Sequence, residues 1–261
     1  MTSVEVLVTG GTGAVGHLVV RELRERGHRA VVLSRRPGAS PDWRRGDLAS
    51  GEGLREAVAG MAAIVHAGSA TVEFTRIRST DVEGTRRLLE AAEAEGVAHL
   101  VYISIVGMEG VAYPYYRAKL AAEAIVRQGP VPWTILRATQ FHTLMEFFLA
   151  AFSRLPGVMT VPLAWRFQPV DPGEVATRLA DLATRAPAGL LPDLGGPEVR
   201  DFRSLAESWR TARGVRKRLL NLPLPFRFSR QFAAGRLLCP DHLDGTTTFE
   251  QYLARKYPAS G

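Results

Sequence analysis

The sequence predicts an α/β fold in which helices cover both faces of a doubly wound parallel sheet. Two observations indicate this fold. Short apolar runs alternate along the first half of the chain with stretches in which apolar residues recur at helical spacing. A glycine-rich turn joins the first apolar run to the first helical stretch. The 261 residues include 46% hydrophobic and 23% charged side chains, a composition that can bury one substantial core, so we expect a single domain.

The predicted elements follow one another in a regular order. Val4–Thr9 forms the first strand, and apolar residues from Val15 to Leu23 recur at helical spacing until Gly27, which favours a helix end. Further strands are predicted at Arg29–Ser34, in a short stretch before Asp47, and at Ala62–His66, His99–Ser104 and Trp133–Arg137. Further helices are predicted through Thr85–Ala92, ending at Gly96, and over Tyr115–Gln128. These elements fill residues 1–137 with a doubly wound layout.

Residues 138–261 are less regular and richer in proline. One helix start is clear, because Asp171 supplies an N-cap, Pro172 occupies the first helical position and Glu174 completes a capping box. We interpret this part as a small C-terminal lobe that covers the carboxyl edge of the sheet and shapes a substrate pocket, and not as an independent domain.

Glycines are spaced as G-x-x-G-x-x-G over Thr9–Gly16, between the first strand and its helix. Without Cβ atoms, Gly10 and Gly13 can turn sharply and let the backbone approach a pyrophosphate, whose charge a helix N-terminus favours. Gly16 would let the helix pack closely on the strand. The pattern predicts a Rossmann-type dinucleotide site formed by Gly10, Thr12, Gly13, Ala14, Val15 and Gly16. A tight turn that uses glycine only for steric reasons is the alternative.

The residues after the second strand favour NADP over NAD, and NADPH over NADH. An NAD site normally carries an acidic residue there, whereas this sequence has Ser34-Arg35-Arg36, a hydroxyl and two guanidiniums that suit a 2′-phosphate. Ordinary surface arginines are the alternative. Asp47, beside Leu48, either accepts from an adenine amino group or caps a turn. The small Ala67 and Gly68 either let a cofactor pass or form an ordinary turn.

Tyr115 and Lys119 form a Y-x-x-x-K pattern on a predicted helix, so their side chains lie one turn apart on the same face. Ser104 ends the strand before that helix. This set suits carbonyl reduction, because a neighbouring ammonium lowers the pKa of a tyrosine. Tyr115 would protonate the developing alkoxide while Ser104 orients the carbonyl oxygen, and Lys119 would bind the nicotinamide ribose. A packed aromatic face with a solvated lysine, or Tyr116 as the ring in the cleft, is the alternative.

These motifs resemble a known family. Thr9–Gly16, Ser104–Gly107, Tyr115–Lys119 and Trp133–Gln140 are similar to motifs of the atypical short-chain dehydrogenase/reductases, especially the NmrA-like NAD(P)-binding group. The resemblance covers most of the chain and includes the segments 167–170 and 249–254. It implies an NAD(P)H-dependent reductase of quinones, enones or other small carbonyl compounds. The family roles carry over to Gly10, Gly13, Gly16, Arg35, Ser104, Tyr115 and Lys119.

Two departures from the family pattern leave other functions open. The interval from Ser104 to Tyr115 is short compared with many catalytic members, and the family includes regulators that bind a dinucleotide without turning it over. One alternative is a non-catalytic NADP sensor that acts through a protein partner, with the apolar and basic segment Leu219–Phe232 as the candidate surface. Another is a nucleotide-sugar epimerase or dehydratase, which uses similar residues but retains its cofactor.

The composition also limits partners and compartment. Cys239 is the only cysteine, so the chain has no internal disulfide and no cysteine-based zinc or iron–sulfur site, and we expect a cytoplasmic protein. Residues 1–9 run directly into a strand pattern and no apolar run approaches the roughly 20 residues of a membrane span, so we expect neither a signal peptide nor a spanning helix. The net charge of +7 indicates a solvated arginine-rich surface rather than nucleic-acid or anionic-lipid binding. We expect a small-molecule carbonyl or quinone substrate and a monomer or homodimer. His142 is interpreted as a hydrogen-bonded structural histidine, with contact to the substrate near the nicotinamide as the alternative. Phe147 and Phe148 are interpreted as helix core or pocket wall rather than a stacking platform for bases.

Overall fold

The computed structural model describes residues 3–36, 38, 40–71 and 74–258. Its strands, in chain order, are β1 (Glu5–Thr9), β2 (Arg29–Ser34), β3 (Trp43–Arg45), β4 (Ala63–His66), β5 (His99–Ile105), β6 (Trp133–Ala138), β7 (Val158–Val161), β8 (Arg166–Phe167), β9 (Gly189–Leu190), β10 (Arg200–Asp201) and β11 (Arg218–Asn221). Its α-helices are α1 (Gly16–Glu25), α2 (Leu54–Val58), α3 (Glu83–Ala94), α4 (Pro114–Gln128), α5 (His142–Phe152), α6 (Pro172–Ala183), α7 (Phe202–Ala212), α8 (Arg227–Ala233) and α9 (Phe249–Lys256). There are also 3-10 turns at Phe74–Arg76 and Met108–Gly110 and a π-helical turn at Arg78–Val82.

The chain forms two compact units. The first contains the residues up to Ser104, together with Pro114–Arg137 and Gly173–Pro192. The second contains Ile105–Tyr113, Ala138–Pro172 and the residues from Asp193 onward. The chain therefore passes between the units several times, and α6 and β9 group with the first unit although they follow residue 137. The expectation of a single domain stays a prediction.

A seven-stranded sheet forms the centre of the first unit. Its strand order is β3-β2-β1-β4-β5-β6-β9, and β1 pairs in parallel with both β2 and β4. The chain starts in the middle of the sheet, builds outward to β3, and then returns to β4 on the other side of β1. This Rossmann-like layout confirms the predicted fold class. In such sheets, ligands bind at the carboxyl ends of the strands where the chain reverses direction, which here is between β1 and β4.

Burial on both faces of the sheet explains the apolar strands. Val6, Leu7 and Val8 of β1 are fully buried, and α1 buries one stripe of apolar residues against the sheet. Gly27 and Gly96 follow α1 and α3 with φ angles of 79° and 69°. Because glycine adopts this left-handed conformation with little strain, both helices end where the sequence predicts.

The sequence patterns do not predict α2 or β9. α2 has five residues and β9 has two, so neither is long enough to display a clear periodicity. β9 joins the sheet because Gly189 and Leu190 pair in parallel with Thr134 and Ile135 of β6. The helix start predicted at Pro172 is confirmed by α6.

Aromatic packing forms the core of the second unit. Trp165 stacks on Phe202 and meets Phe232 edge to face, with ring centroids 4.9 Å apart in the latter pair. Small sheets flank this core: β11 pairs with β7 in parallel, and β10 pairs with β8 antiparallel. Cys239 is also in this unit, and burial raises the pKa of its thiol to about 12, which disfavours thiolate chemistry. Within the described part of the chain, we find no helix with the length and apolar character needed to cross a bilayer.

A buried ion pair ties α4 to β6 in the first unit. The Arg137 Nε and Nη2 atoms donate to the two carboxylate oxygens of Glu123 at 2.8 and 2.7 Å, and Glu123 is only 3% exposed. We predict that Glu123→Ala lowers the free energy of unfolding by about 3–5 kcal/mol, because it leaves the guanidinium without its carboxylate in a poorly solvated place. Urea unfolding followed by circular dichroism measures this change.

The matched control is Glu25→Ala, which removes the exposed partner of Arg21 on α1. An exposed pair of this kind contributes less than about 1 kcal/mol. Equal losses of stability in the two variants would contradict the prediction.

Candidate functional site

The turn between β1 and α1 is held by close backbone contacts. Gly10 has a φ angle of 67°, and its carbonyl accepts from the Gly13 amide at 2.8 Å. A Cβ atom at Gly10 would lie 2.6 Å from the Ala67 carbonyl oxygen, and one at Gly16 would lie 2.1 Å from the Gly10 carbonyl oxygen. Glycine is therefore required at both positions. The sequence predicts that Gly16 lets the helix pack closely on the strand. In the structure, the group closest to Gly16 is the Gly10 carbonyl of the turn itself.

The outer surface of this turn is open. Thr12, Gly13 and Ala14 are exposed, whereas the Val15 side chain is buried. The N-cap residue of α1, Val15, makes no side-chain capping hydrogen bond, and the first turn of the helix has no acidic residue. The helix dipole therefore favours an anion at this end.

A cleft of about 790 Å³ opens beside the turn. Most of its lining comes from residues at or after the carboxyl ends of β1, β2, β3 and β4, the strands around the point where the chain reverses direction, and Trp43 at the start of β3 adds to it. The predicted dinucleotide residues that line it are Gly10, Thr12, Gly13, Ser34, Arg35, Arg36, Asp47, Leu48, Ala67 and Gly68. The fold thus brings together residues that the sequence analysis selected from four separate turns.

The charged lining of the cleft is mostly basic. Arg35 and Arg36 are exposed after β2, and the Arg36 amide donates to Ser34 Oγ at 3.2 Å. Arg76 pairs with Asp47 at 3.5 Å. Asp47 Oδ1 also accepts a hydrogen bond from the Ala49 amide at 2.8 Å, so Asp47 stabilises a turn, as one of the two predicted roles required. Its contact with an adenine stays a prediction.

Beneath the cleft, buried hydrogen bonds connect β1, β4 and α3. Thr85 Oγ1 donates to the Asp81 carbonyl at 2.6 Å, so it accepts from His66 Nε2, which lies 3.0 Å away. His66 Nδ1 then accepts from Thr9 Oγ1 at 2.7 Å, and Thr9 Oγ1 accepts from the Gly68 amide at 3.0 Å. The single hydrogen of Thr85 places a proton on His66 Nε2, and burial, which lowers the pKa of His66 to about 3, keeps the ring neutral, so Nδ1 is an acceptor.

Tyr115 is connected to the cleft through Ser69. Ser69 Oγ donates to the buried carboxylate of Asp81 at 2.5 Å and lies 3.0 Å from the Tyr115 hydroxyl. Because the one hydrogen of Ser69 points to Asp81, Tyr115 is the donor to Ser69. Asp81 belongs to the π-helical turn before α3, a type of distortion that is frequent at functional sites. Ser69 lines the cleft, so the Tyr115 hydroxyl lies at its edge.

Lys119 is buried on the same helix as Tyr115. Its ammonium donates to the Ile103 carbonyl at 3.0 Å and lies 4.1 Å from the ring centroid of Tyr102. Burial lowers the pKa of Lys119 to about 8, against the attraction of Asp81 and Glu123. Lys119 is therefore still mostly charged at neutral pH, and the alternative of a solvated lysine is wrong because the helix turns this side chain towards the sheet.

Ser104 lies at the end of β5, one residue after Ile103. It is only 2% exposed, and its Oγ atom has no hydrogen-bond partner among the described residues. An unsatisfied buried hydroxyl costs about 1–3 kcal/mol. The hydroxyl therefore marks a position that an oxygen atom of a ligand can complete.

Other predicted residues of the first unit are absent from the cleft lining, as far as the structure describes it: Ala14, Val15, Gly16, Ser104, Tyr115 and Lys119. Their contact with a cofactor or substrate stays a prediction. Residues that the sequence analysis missed also line the cleft: Leu33, Trp43, Gly46, Ser69, Ala70, Arg76 and Thr80. The positions of most of them at or after the ends of β2, β3 and β4 are the signal that could have identified them.

Two further expectations concern the second unit. His142 is fully buried, its Nε2 atom lies 3.0 Å from the Thr247 carbonyl oxygen, and its ring stacks on Tyr252, as a structural histidine does. Phe147 is exposed, so its interpretation as helix core is wrong, whereas Phe148 is half-buried. Met145 and Leu149 are four residues apart and lie on the buried face of α5, whereas the helical spacing places Phe147, between them in sequence, on the opposite face. A role of either ring as pocket wall stays a prediction.

A family model matches the part of the chain that builds this cleft. The match covers residues 10–143, slightly more than half of the chain, and the family is described as NAD(P)H-binding. The chain belongs to the NAD(P)H-binding family. The predicted assignment to the atypical short-chain dehydrogenase/reductases and their NmrA-like group is confirmed, and the matched range contains Ser104, Tyr115 and Lys119.

Individual proteins agree with this NAD(P)H-binding assignment. The chain is 28% identical over 245 residues to a ceramide reductase of Caulobacter vibrioides, covering 84% of this chain and 74% of that protein. It is 41% identical over 112 residues to a 3-beta-hydroxysteroid dehydrogenase of Mycolicibacterium neoaurum, covering 37% of this chain and 31% of that protein. The matched part thus spans between 31% and 74% of these two relatives.

A solved structure shows the same fold. It is a short-chain dehydrogenase/reductase superfamily protein from Agrobacterium tumefaciens with bound NAD, with a TM-score of 0.71 and 24% sequence identity. The alignment covers 96% of this chain and 95% of that one. The central sheet and its surrounding helices therefore have the same fold as that structure.

The neutral His66 makes the stability of this NAD(P)H-binding protein depend on pH. Burial and the charge of Lys119 lower the pKa of His66 from 6.5 to about 3. Between these values the unfolded chain binds a proton that the native protein does not, so the free energy of unfolding falls as the pH drops from 6.5 towards 3. We predict that His66→Gln reduces this slope by up to about 1.4 kcal/mol per pH unit.

Urea unfolding at a series of pH values across this window measures the slope. His17→Gln, at an exposed position on α1, is the control and should leave the slope unchanged. A slope in His66→Gln equal to that of the unmodified protein would contradict the prediction.

Proposed function

We propose that the protein is an NADP-dependent oxidoreductase that moves a hydride between nicotinamide C4 and a small carbonyl, enone or quinone substrate. The observation that carries this proposal is the 3.0 Å contact between the Tyr115 hydroxyl and Ser69 Oγ, because Ser69 lines the cleft. A proton donor thus stands beside a cleft that suits a dinucleotide. The relatives named as a ceramide reductase and a hydroxysteroid dehydrogenase support the same class of reaction.

The turn after β1 fits a pyrophosphate. The space that Cβ atoms would fill at Gly10 and Gly16 is taken by neighbouring backbone, so the turn is compact and exposes the backbone of Thr12, Gly13 and Ala14. The N-terminus of α1, where the N-cap residue Val15 makes no side-chain capping bond, adds a favourable dipole. In the proposal, the backbone of the turn and of the start of α1 binds the diphosphate of the cofactor.

The basic residues after β2 fit a ribose 2′-phosphate. Arg35 and Arg36 line the cleft together with Ser34, and no acidic residue stands among these three. Guanidinium groups bind phosphate oxygens through charge-assisted hydrogen bonds, whereas a carboxylate would repel them. On this basis we assign a preference for NADPH over NADH.

The chain's own residues would handle the proton and orient the substrate. When bound, the nicotinamide supplies or accepts the hydride at C4. Tyr115 donates its hydroxyl proton to the substrate oxygen as negative charge develops there, and Ser104, whose Oγ has no protein partner within the described residues, donates a hydrogen bond to the same oxygen. Lys119 supplies positive charge near the tyrosine and binds ribose hydroxyls.

Ser69 and Asp81 would position the tyrosine. In the present arrangement, Tyr115 donates to Ser69, whose own proton is held by the Asp81 carboxylate at 2.5 Å. This keeps the hydroxyl at the edge of the cleft until it rotates towards a substrate oxygen. Ser104 and Tyr115 both belong to the first unit, whereas residues 105–113 between them group with the second. The short interval between the two residues is therefore compatible with both acting on one substrate oxygen.

The first prediction of the proposal concerns cofactor choice. Arg35→Ala combined with Arg36→Ala should weaken NADPH binding at least about 100-fold, because charge-assisted hydrogen bonds contribute about 1.5–3 kcal/mol each and the double variant removes both guanidiniums. NADH affinity should change little, because NADH has no 2′-phosphate. Isothermal titration calorimetry with both nucleotides measures the two affinities.

Arg55→Ala is the control, since it removes an exposed arginine of the same unit that pairs with Glu95 and does not line the cleft. It should bind NADPH like the unmodified protein. If the double variant lost NADPH and NADH affinity by the same factor, the proposal that Arg35 and Arg36 bind the 2′-phosphate would be contradicted.

The second prediction concerns the acid. Tyr115→Phe should lower kcat about 100- to 10,000-fold, the usual contribution of a positioned general acid, while NADPH affinity is retained. Tyr116→Phe is the matched control, because it makes the same change at the next residue and should keep turnover. Loss of turnover in Tyr116→Phe alone would assign the proton to that ring.

The assay follows NADPH oxidation over a panel of quinones, enones and ketones that includes a long-chain ketone and a steroid ketone. NADPH binding without oxidation by any compound would favour the alternative of a sensor. Interconversion of nucleotide sugars without net NADPH oxidation would favour the alternative of an epimerase. We further propose that the protein acts as a cytoplasmic monomer or homodimer with a small-molecule substrate.

A further inference from the structure

Positive charge is concentrated in one segment of the second unit. From Ser208 to Pro240 the chain has eight lysine and arginine residues and no aspartate or glutamate. The whole chain has a formal net charge of +7, so the residues outside this segment sum to −1. The basic character of the protein is therefore local, which the overall composition does not reveal.

The arginines of this segment differ from those of the first unit. Several exposed arginines of the first unit pair with carboxylates, as Arg21, Arg29 and Arg55 do, whereas Arg35 and Arg36 belong to the cleft already described. By contrast, four exposed arginines of the basic segment make no ion pair with any residue that the structure describes: Arg216, Arg218, Arg227 and Arg230. Their charge is thus available to an anionic partner.

Large apolar side chains are exposed among these arginines. Leu220 of β11 is 40% exposed, and Phe226, directly before α8, is 52% exposed. Leu155, which is 54% exposed, lies beside β11, because Lys217 donates to the Leu155 carbonyl at 2.9 Å. A cleft of about 480 Å³, with Pro223 in its lining, runs through the same region. We call Leu155 together with residues 216–230 the arginine surface.

We propose that the arginine surface binds peripherally to bilayers that contain anionic phospholipid. The arginines would meet the phosphate groups, and Leu220 and Phe226 would enter the boundary between headgroups and acyl chains. Stable peripheral binding needs two signals, a basic patch and a buried apolar group, and this surface supplies both. The proposal does not depend on the oxidoreductase function.

The apolar part of the surface favours lipid over nucleic acid. Single-stranded nucleic acid binds where cations accompany aromatic rings on which bases can stack. Here Phe226 already stacks on Phe228, with ring centroids 5.4 Å apart and the ring planes only 7° from parallel. Transfer of the leucine side chains out of water is favourable in free energy. Acyl chains offer an apolar environment for this transfer, whereas a sugar–phosphate backbone does not.

Co-sedimentation of the full chain with vesicles tests the proposal. Vesicles of phosphatidylcholine alone are compared with vesicles that also contain phosphatidylglycerol, at low and at high salt. We expect binding only to the anionic vesicles, weakened by salt. Arg218→Glu combined with Arg227→Glu should reduce binding at least tenfold, because each basic residue near an anionic surface is worth about a fivefold change in affinity.

The matched control is Arg21→Glu combined with Arg45→Glu, which makes the same change of net charge at exposed positions of the first unit. It should bind anionic vesicles like the unmodified chain. Phe226→Ser should weaken binding and leave its salt dependence unchanged, since it removes only the apolar contribution. NADPH binding by each variant shows whether the first unit remains folded.

Three results would overturn the proposal. One is the absence of binding to anionic vesicles at low salt. Another is an equal loss of binding in the control, which would reduce the effect to net charge. The third is a gel shift of single-stranded DNA or RNA at protein concentrations that leave the vesicles unbound, which would make nucleic acid the partner.

Discussion

The contact between the first residue of α1 and the turn after β1 is the constraint on which the first unit depends. Hydrogen is the largest substituent that fits at Gly16, because a Cβ atom there would overlap the Gly10 carbonyl oxygen. At Gly10 the corresponding space is occupied by the Ala67 carbonyl after β4. The two glycines therefore fix the distance between α1, β1 and β4 together. In turn, the register that pairs Thr9 with Leu33 and with His66 places the residues after β2 and β4 around the same turn.

Hydrogen bonds continue from this turn to the proposed acid. Thr9 donates to His66, His66 donates to Thr85, and Thr85 donates to the Asp81 carbonyl. The carboxylate of the same Asp81 holds Ser69, and Ser69 accepts from Tyr115. In a poorly solvated interior such a network is specific, because a change in any member leaves its neighbour unsatisfied. The geometry of the glycine turn and the position of Tyr115 are thus parts of one arrangement.

The sequence predicts the elements that carry a strong local pattern, and the glycine turn predicts the place of the cleft. β9 could not be predicted, because a two-residue strand forms only when β6 offers it a partner. The link from Ser69 to Tyr115 joins residues separated by 46 positions, so no local pattern reports it. Asp81 was missed for a similar reason: it lies in a π-helical turn without a motif, and its role depends on what packs against it.

Two neighbouring sites in the first unit treat their buried polar groups differently. Both ring nitrogens of His66 have partners, and the ring stays neutral with a pKa of about 3. At β5, by contrast, Ser104 Oγ has no partner within the described residues, and burial lowers the pKa of the charged Lys119 to about 8. A folded protein without a ligand gains nothing from leaving a hydroxyl unsatisfied beside a desolvated ammonium. In the proposed function, a ligand oxygen completes Ser104 and polar ligand groups share the charge of Lys119, which would offset both costs, whereas the His66 network already satisfies its own polar groups.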